Sequence, residues 1–324
     1  MAARVLIPAV LLAVLAAVPF TAPASVLLFT LALAKGLAVL GIVVLLRAGQ
    51  VSFGHALYFG ASAYAVAFAA RAMQGGSVSL LLLAGVAAAV VTGIVVGLFV
   101  VRYRYIFFGM LNLAFSMVLY SVLEKFFFIT GGSDGLRVPR PTLFGMAVER
   151  FEYETTLFYL TLALVVLCAW LVYRYFQSPL GEALRALKSN ETRLEYIGLS
   201  ARGVLLVAYV ISAALAGLGG TLLALVQGHV TPELSYWVRS GEFVFIAILG
   251  GAGSVVGPFV GAIVYELVRA YASAFAADVW QMILGGFLLV IILFASRGLV
   301  GMYQDVEERL FSRRVVTGGR RRPV

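Results

Sequence analysis

Cysteine, histidine and charge are scarce in this chain, and each shortage excludes something. One cysteine in 324 residues, Cys168, permits no intrachain disulfide, so a secreted disulfide scaffold is ruled out. The two histidines, His55 and His229, stand far apart, and with a single cysteine they offer no His/Cys metal set, so no metal is expected. Charged side chains make up 12% of the residues, against roughly 25% in soluble domains. The chain contains no Gly-Lys pair, hence no phosphate-binding loop of the form G-x-x-x-x-G-K-[ST]; any nucleotide-driven step must fall to another chain. No clustered acid/base set appears either, so an enzyme is not expected.

What fills the sequence is apolar surface. Hydrophobic residues reach 62%, and runs long enough to cross a hydrocarbon core of about 30 Å recur along nearly the whole length. They fall at 5–21, 25–46, 55–70, 78–100, 106–129, 156–174, 204–227, a short one near 241–252, then 257–273 and 279–296. The expectation is an all-α integral membrane protein with about ten transmembrane segments, one of them short or broken, in a single membrane domain over 1–324.

The net charge of +9 invites a nucleic-acid reading, but the positions of the 24 Lys and Arg residues oppose it. With a cytoplasmic N-terminus, sixteen of them fall in inside segments and six outside (Arg71, Arg137, Arg140, Arg150, Arg239 and Arg269), while Lys35 and Lys125 lie within apolar runs. This is the positive-inside bias, so both termini should be cytoplasmic and no nucleic acid is expected as a partner. The basic tail 302–324 either touches anionic headgroups of membrane lipid or only fixes orientation. Arg4, the apolar run to Val18 and Ala22-Pro23-Ala24 also resemble a cleavable signal; a retained first helix suits the charge pattern better.

Two stretches depart from a stack of long helices. In 175–203, Ser178-Pro179 reads as an N-cap with proline at the first helical position. Leu180, Ala183, Leu184 and Leu187 then build one apolar face, and a second short helix runs from Asn190 to a stop at Gly198. A cytoplasmic loop with two amphipathic helices is predicted, either docking a partner or lying on the protein's own surface. The stretch 228–261 holds an apolar core, Phe243–Leu249, too short to span, followed by Gly250-Gly251-Ala252-Gly253; a broken helix at membrane depth is a candidate pathway element. The external segment 130–155 opens on Thr130-Gly131-Gly132-Ser133-Asp134-Gly135 and reads as a structured loop that either receives a soluble partner or joins two helices.

Ionisable groups inside the apolar runs are few. Lys35, near the middle of its segment, should face the bundle or a wet cavity. Glu124, Glu242, Glu266 and Asp278 all fall near segment ends, which argues against buried carboxylates and so against proton or sodium coupling. Candidate path-lining groups are Gln50, Ser52 and His55 at one helix junction, Asn112 and Ser116 four apart on one helical face, and Ser240 with Glu242. Their alternative role is hydrogen bonding between helices.

Several of these stretches together match a known pattern. Ala48-Gly49-Gln50-Val51-Ser52-Phe53-Gly54-His55-Ala56, with Gly60, Ala63 and Tyr64, resembles the signature of LivM-type permeases of branched-chain amino acid ABC importers. The external Thr130–Leu136, the run Ser178–Ala186, Ser212–Gly217, Ser240-Gly241-Glu242, Ile248–Gly253 and Arg297–Gly301 are similar to further motifs of that family, in order, from about residue 25 to 301. Departures are Leu46-Arg47 where Gly-Tyr is common, Ile42 where asparagine is frequent, and Lys35 itself.

The resemblance implies a permease subunit of the bacterial or archaeal cytoplasmic membrane that moves branched-chain amino acids by alternating access. It would pair with a homologous second permease, two ATP-binding subunits and a periplasmic or extracellular solute-binding protein. No cofactor is expected on this chain, ATP and Mg being held by the partner subunits. The helices near 179–197 would couple to the ATPase, with Leu180, Ala183, Leu184 and Leu187 seated in its groove and Glu182, Arg185 and Lys188 around them. Gly131, Gly132, Ser133, Asp134 and Gly135 would be the external partner loop. Urea and short-amide importers use related permeases, and a self-sufficient secondary transporter is the other alternative.

Overall fold

The computed structural model describes residues 2–142, 149–276, 278–294 and 298–302. The described residues of the ten apolar segments are largely helical: α1 (Ala2–Thr21), α2 (Val26–Arg47), α3 (His55–Ala72), α4 (Val78–Val100) and α5 (Tyr105–Lys125) come first. A short α6 (Phe127–Thr130) precedes α7 (Arg150–Phe176), and α8 (Pro179–Ser189) and α9 (Glu191–Tyr196) precede α10 (Ala201–Gln227). The series ends with α11 (Trp237–Gly250), α12 (Gly257–Phe275) and α13 (Trp280–Phe294). Among the described residues, five segments are long and apolar enough to cross a membrane: Pro23–Arg47, Val78–Val100, Tyr105–Lys125, Glu152–Phe176 and Ala201–Gln227. The rest fall short for visible reasons, α11 having only 14 residues and α12 carrying Glu266 and Arg269.

Local chemistry sets the helix starts. Ser77, Ser178, Asn190 and Ser200 each accept a backbone N–H three residues on, capping α4, α8, α9 and α10, which satisfies a donor that the first turn would otherwise leave bare. Proline occupies the first turn of α8 and α12, where its missing N–H costs nothing.

Helices α2 and α10 form the centre. α10 packs on α2, α3 and α4, and α12 lies along α2. The approach is close because α10 presents Gly219 and Gly220: a Cβ on Gly219 would sit 2.3 Å from the Ala34 carbonyl oxygen, and one on Gly220 2.1 Å from that of Phe59. Small residues at a helix crossing trade side-chain volume for backbone proximity, the usual device where lipid removes the hydrophobic drive for association. The small-residue stripes at Gly93 and Gly97 and at Gly257 and Gly261 also sit in close helix contacts.

The connections sort to two ends. At one, Arg47 reaches the Phe176 carbonyl, Tyr105 N–H donates to Gln50 at 2.8 Å, and Arg104 pairs with Glu191 at 2.6 Å. At the other, β1 (Leu136–Arg137) pairs antiparallel with β2 (His229–Val230), Leu136 facing Val230 and Arg137 facing His229, and Thr142 N–H donates to the Gly76 carbonyl at 2.9 Å. After β2 the chain turns inward. The short turn Pro232–Ser235 packs against α3 and α5 with Pro232, Leu234 and Ser235 buried, so α11 enters the bundle from Ser240 on, while Trp237 and Val238 stay exposed. Helix α11 is the broken element expected near 241–252, starting earlier than anticipated and closing at Gly251, whose φ of +97° suits glycine. The basic tail lies outside the described residues beyond Met302, as does part of the external segment, at 143–148.

Candidate functional site

Lys35 is almost wholly buried, with 3% of its side chain exposed, and its ammonium donates to Glu242 at 2.5 Å and to Glu266. Arg239, one turn before Glu242 on α11, donates to that carboxylate's second oxygen at 2.6 Å. Arg269, one turn beyond Glu266 on α12, stands 3.7 Å from it, and the Tyr265 ring lies 5.6 Å from the Lys35 nitrogen. Three helices, α2, α11 and α12, thus meet on a lysine and two carboxylates. This corrects the sequence reading on two points. Glu242 and Glu266 are buried inside the bundle, their side chains 10% and 8% exposed, because the inward turn at 232–235 carries the start of α11 down beside α2. Arg239 and Arg269, assigned to outside loops, belong to the same cluster.

Proton or sodium coupling is disfavoured by the pairing of these carboxylates. Buried carboxylates are present, but each is already neutralised by fixed cations. A coupling site must leave a carboxylate open to a mobile cation, and here the partners are covalently part of the fold. An ion set of this kind is held by geometry, since removing one member strands a charge in low dielectric.

Of the seven candidate path residues, Glu242 belongs to that cluster and the other six are buried. The structure joins them through hydrogen bonds between helices. The Ser212 hydroxyl donates to the Gly41 carbonyl at 2.6 Å, so the 2.6 Å contact between Ser212 Oγ and His55 Nε2 is filled by an imidazole proton on Nε2. Tyr58 donates to Tyr209, and Tyr209 to Asn112, whose amide nitrogen donates to the Phe108 carbonyl at 2.8 Å. Ser116 donates to the Ser235 carbonyl at 2.7 Å, and Ser240 accepts the Ala56 N–H at 2.9 Å. Ser52 accepts from the Gly54 N–H, and Gln50 from Tyr105 as above. The Ser116–Ser235 and Ala56–Ser240 bonds tie the inward turn and the start of α11 to α5 and α3, while the His55–Ser212 and Tyr58–Tyr209–Asn112 contacts join α3 and α5 to α10. Tyr58, Tyr209 and Ser212 were missed in the sequence, since tyrosine and serine in apolar runs read equally well as packing.

At the α8 end, the two short helices form as the caps predicted, but their orientation differs from the expectation. Ala183, Leu184 and Leu187 are buried against the protein's own α2, α7 and α10, so these three are not available to a partner's groove. The physical reason is competition: an amphipathic helix tethered by short links covers its own bundle before it meets another chain. Leu180 remains 45% exposed, and beyond it Tyr196, Ile197 and Leu199 are exposed. Glu182 and Lys188 face the end of α2. Arg47 stands 3.7 Å from Glu182 and stacks 4.5 Å from the Phe176 ring, while Lys188 packs beside Gly49. Arg185 is exposed.

At the opposite end, Gly132–Asp134 forms a tight turn between Gly131 and Gly135. Ser133 and Asp134 are exposed and Gly132 is buried. Gly135 runs so close to β2 that a Cβ there would fall 2.1 Å from the Val230 carbonyl oxygen. The loop is therefore fixed to the segment that leads into the bundle. Beside it lies a cavity of about 780 Å³ lined by Arg71, Arg137, Arg140, Tyr153, Glu154 and the end of α10.

A predominantly helical chain with five segments, among the described residues, long and apolar enough to cross a membrane is consistent with a membrane permease. The chain belongs to the family described as branched-chain amino acid transport system / permease component, which it matches over residues 5–293. It is similar to the high-affinity branched-chain amino acid transport system permease protein LivM of Escherichia coli K12, 30% identical over 275 residues, covering 78% of this chain and 64% of the relative. LivM of Salmonella typhimurium LT2 matches to the same extent. LivH of Escherichia coli K12 is 27% identical over 187 residues, 55% of this chain and 60% of the relative. The chain thus spans a little under two thirds of these relatives' own length. No solved structure matches it.

Proposed function

We propose that this chain is the permease subunit of an ATP-driven importer that moves branched-chain amino acids across the cytoplasmic membrane of a bacterium or archaeon by alternating access. The observation that carries the reading is the family match across residues 5–293; the sorting of connections to two ends supports it. In this reading all ten apolar helices lie within or across the bilayer, the α8 end and both termini face the cytoplasm, and β1–β2 faces outward, in keeping with the positive-inside bias. A second, homologous permease completes the pathway, a solute-binding protein delivers at the β1–β2 end, and two ATP-binding subunits hold ATP and Mg beneath α8 and α9. Gln50, Ser52, His55, Asn112, Ser116, Ser240 and Glu242 act as the hinge bonds that exchange during access, rather than as a lining of open space.

Coupling then falls on the exposed surface of the cytoplasmic pair, Leu180 and Arg185 on α8 and Tyr196 and Ile197 at the end of α9, while Leu184 holds α8 to the bundle. Ile197→Asp should abolish co-purification with the ATPase and leave the thermal midpoint of this chain in place. Leu184→Asp should lower that midpoint instead. Function is tested by uptake into proteoliposomes containing this chain with its second permease, ATPases and binding protein. Leucine uptake that requires internal ATP and the binding protein is expected. Urea uptake would keep the mechanism and change the solute; uptake by this chain alone, driven by a gradient, would overturn the reading.

A further inference from the structure

The cavity of about 780 Å³ beside β1 takes no part in the hinge bonds or the coupling surface, and three separate stretches of chain each bring an arginine to it. Arg71 sits in the last turn of α3, Arg137 on β1 and Arg140 in the loop that follows. Their backbones are stitched together. The β1–β2 ladder holds Arg137 opposite His229, and the Val138 N–H donates to the Gly228 carbonyl at 2.9 Å. Arg140 stands between Pro139 and Pro141, whose rings fix φ. Thr142 then donates to the Gly76 carbonyl, in the turn after α3, through its N–H at 2.9 Å and its hydroxyl at 3.0 Å. In the same turn Gly75, at a φ of +109°, lies so near that a Cβ would fall 2.8 Å from the Arg140 carbonyl oxygen. The loop that carries Arg140 is thereby fixed against the end of the helix that carries Arg71.

We infer that this cavity binds a phosphate group through Arg71, Arg137 and Arg140. Glu154 also lines it and already has a partner; even with that carboxylate counted in full, the lining keeps an excess of two positive charges. A cleft lined by one sign of charge concentrates the opposite ion. Guanidinium meets phosphate in paired, parallel hydrogen bonds, and a phosphate offers enough oxygens for three such forks where a carboxylate offers only two. The volume lies within the range of small-molecule sites, roughly 300–1,000 Å³, so the space admits the group that the phosphate is attached to as well as the anion. A phospholipid headgroup and a soluble phosphate present the same oxygens to these side chains. The inference goes beyond the transport reading and does not depend on which solute is moved.

The test is equilibrium binding to the full chain in a maltoside detergent, which carries no phosphate, with radiolabelled inorganic phosphate and radiolabelled dihexanoyl phosphatidylglycerol as separate probes. Saturable binding of at least one probe is expected. Arg137→Gln combined with Arg140→Gln should weaken it by about tenfold or more, with the thermal midpoint of the chain unchanged. Arg71→Lys, which keeps the charge and loses the fork, should weaken it severalfold, while Arg102→Gln, at the opposite end of the bundle, leaves it as it was. Tighter binding of phosphatidylglycerol would assign the site to a lipid headgroup, and tighter binding of inorganic phosphate to a soluble anion; either result supports a phosphate site. No saturable binding of either probe, or binding indifferent to the arginine substitutions, overturns the inference. So does displacement of the bound probe by acetate at the concentration that phosphate itself requires, which would mark a site for carboxylates.

Discussion

Helices α2 and α5 are both apolar enough to span a bilayer, yet they live in different surroundings. Of the most apolar eighteen-residue stretch of α2, 78% is buried, against 28% for α5. Mean apolarity does not separate them, because in a membrane both lipid and protein accept an apolar face. What separates them is polar chemistry and small residues. α2 carries Lys35, which needs two carboxylates, and offers its backbone at Ala34 and Gly41 to Gly219 and Ser212 of α10. α5 turns Asn112 and Ser116 inward and leaves Phe107, Met110 and Val118 exposed on the other side. In this bundle the few polar atoms mark the inside and the apolar majority is silent about it.

The comparison is broken most directly at Lys35. Lys35→Met should destabilise the chain by about 3–5 kcal/mol, the usual cost of stranding buried partners of an ion set, read as a loss of thermal midpoint in detergent. Because Arg239 and Arg269 still face Glu242 and Glu266, the loss should lie at the low end of that range, and adding Glu242→Gln and Glu266→Gln should deepen it by leaving both arginines without a carboxylate. A single variant as stable as the parent would mean that the lysine does not hold α2 to α11 and α12. Next in size is Gly219→Val, which drives side-chain carbon into the Ala34 carbonyl; overpacking of this kind costs about 1–3 kcal/mol or more, and backbone at the contact leaves little to yield. Tyr209→Phe removes the hydroxyl between Tyr58 and Asn112 and should cost about 0.6–1.7 kcal/mol, the range for hydrogen bonds between helices in membranes. If Tyr209→Phe exceeded Lys35→Met, the tyrosine chain rather than the ion cluster would be the main brace.

Much of the architecture was legible beforehand, and the reasons differ by element. The described residues of the ten apolar runs are largely helical, five of them long and apolar enough to cross a membrane, because an apolar run satisfies its own backbone in lipid only as a helix. α8 and α9 were legible from Ser178-Pro179, Asn190 and Gly198, whose capping chemistry is local. The packed side of α8 was not: Leu184 and Leu187 identify an apolar face without saying whether a partner or the protein's own α10 covers it. Glu242 and Glu266 were misplaced because distance from a run's end measures depth only if the chain runs straight, and the inward turn at 232–235 breaks that assumption. Lys35 held the missing signal. A lysine in the middle of an apolar run requires a partner, and of the four carboxylates near the ends of apolar runs, Glu124, Glu242, Glu266 and Asp278, only Glu242 and Glu266 also have an arginine three residues away.

The smallest effect is expected on the open side of α5, and it sharpens the contrast most. Met110 is 62% exposed and Val118 60%, so truncating both to alanine removes contacts with detergent or lipid rather than with protein. The thermal midpoint of the isolated chain should stay within the equivalent of about 0.5 kcal/mol, as for surface positions generally. The same pair of truncations on α2, for instance at Leu37 and Leu40, each fully buried, should cost several kcal/mol through cavity formation. A loss on α5 approaching that on α2 would show that its outer face is packed against protein even in the isolated chain, and would make its apparent exposure the surface of an interface rather than of the bundle.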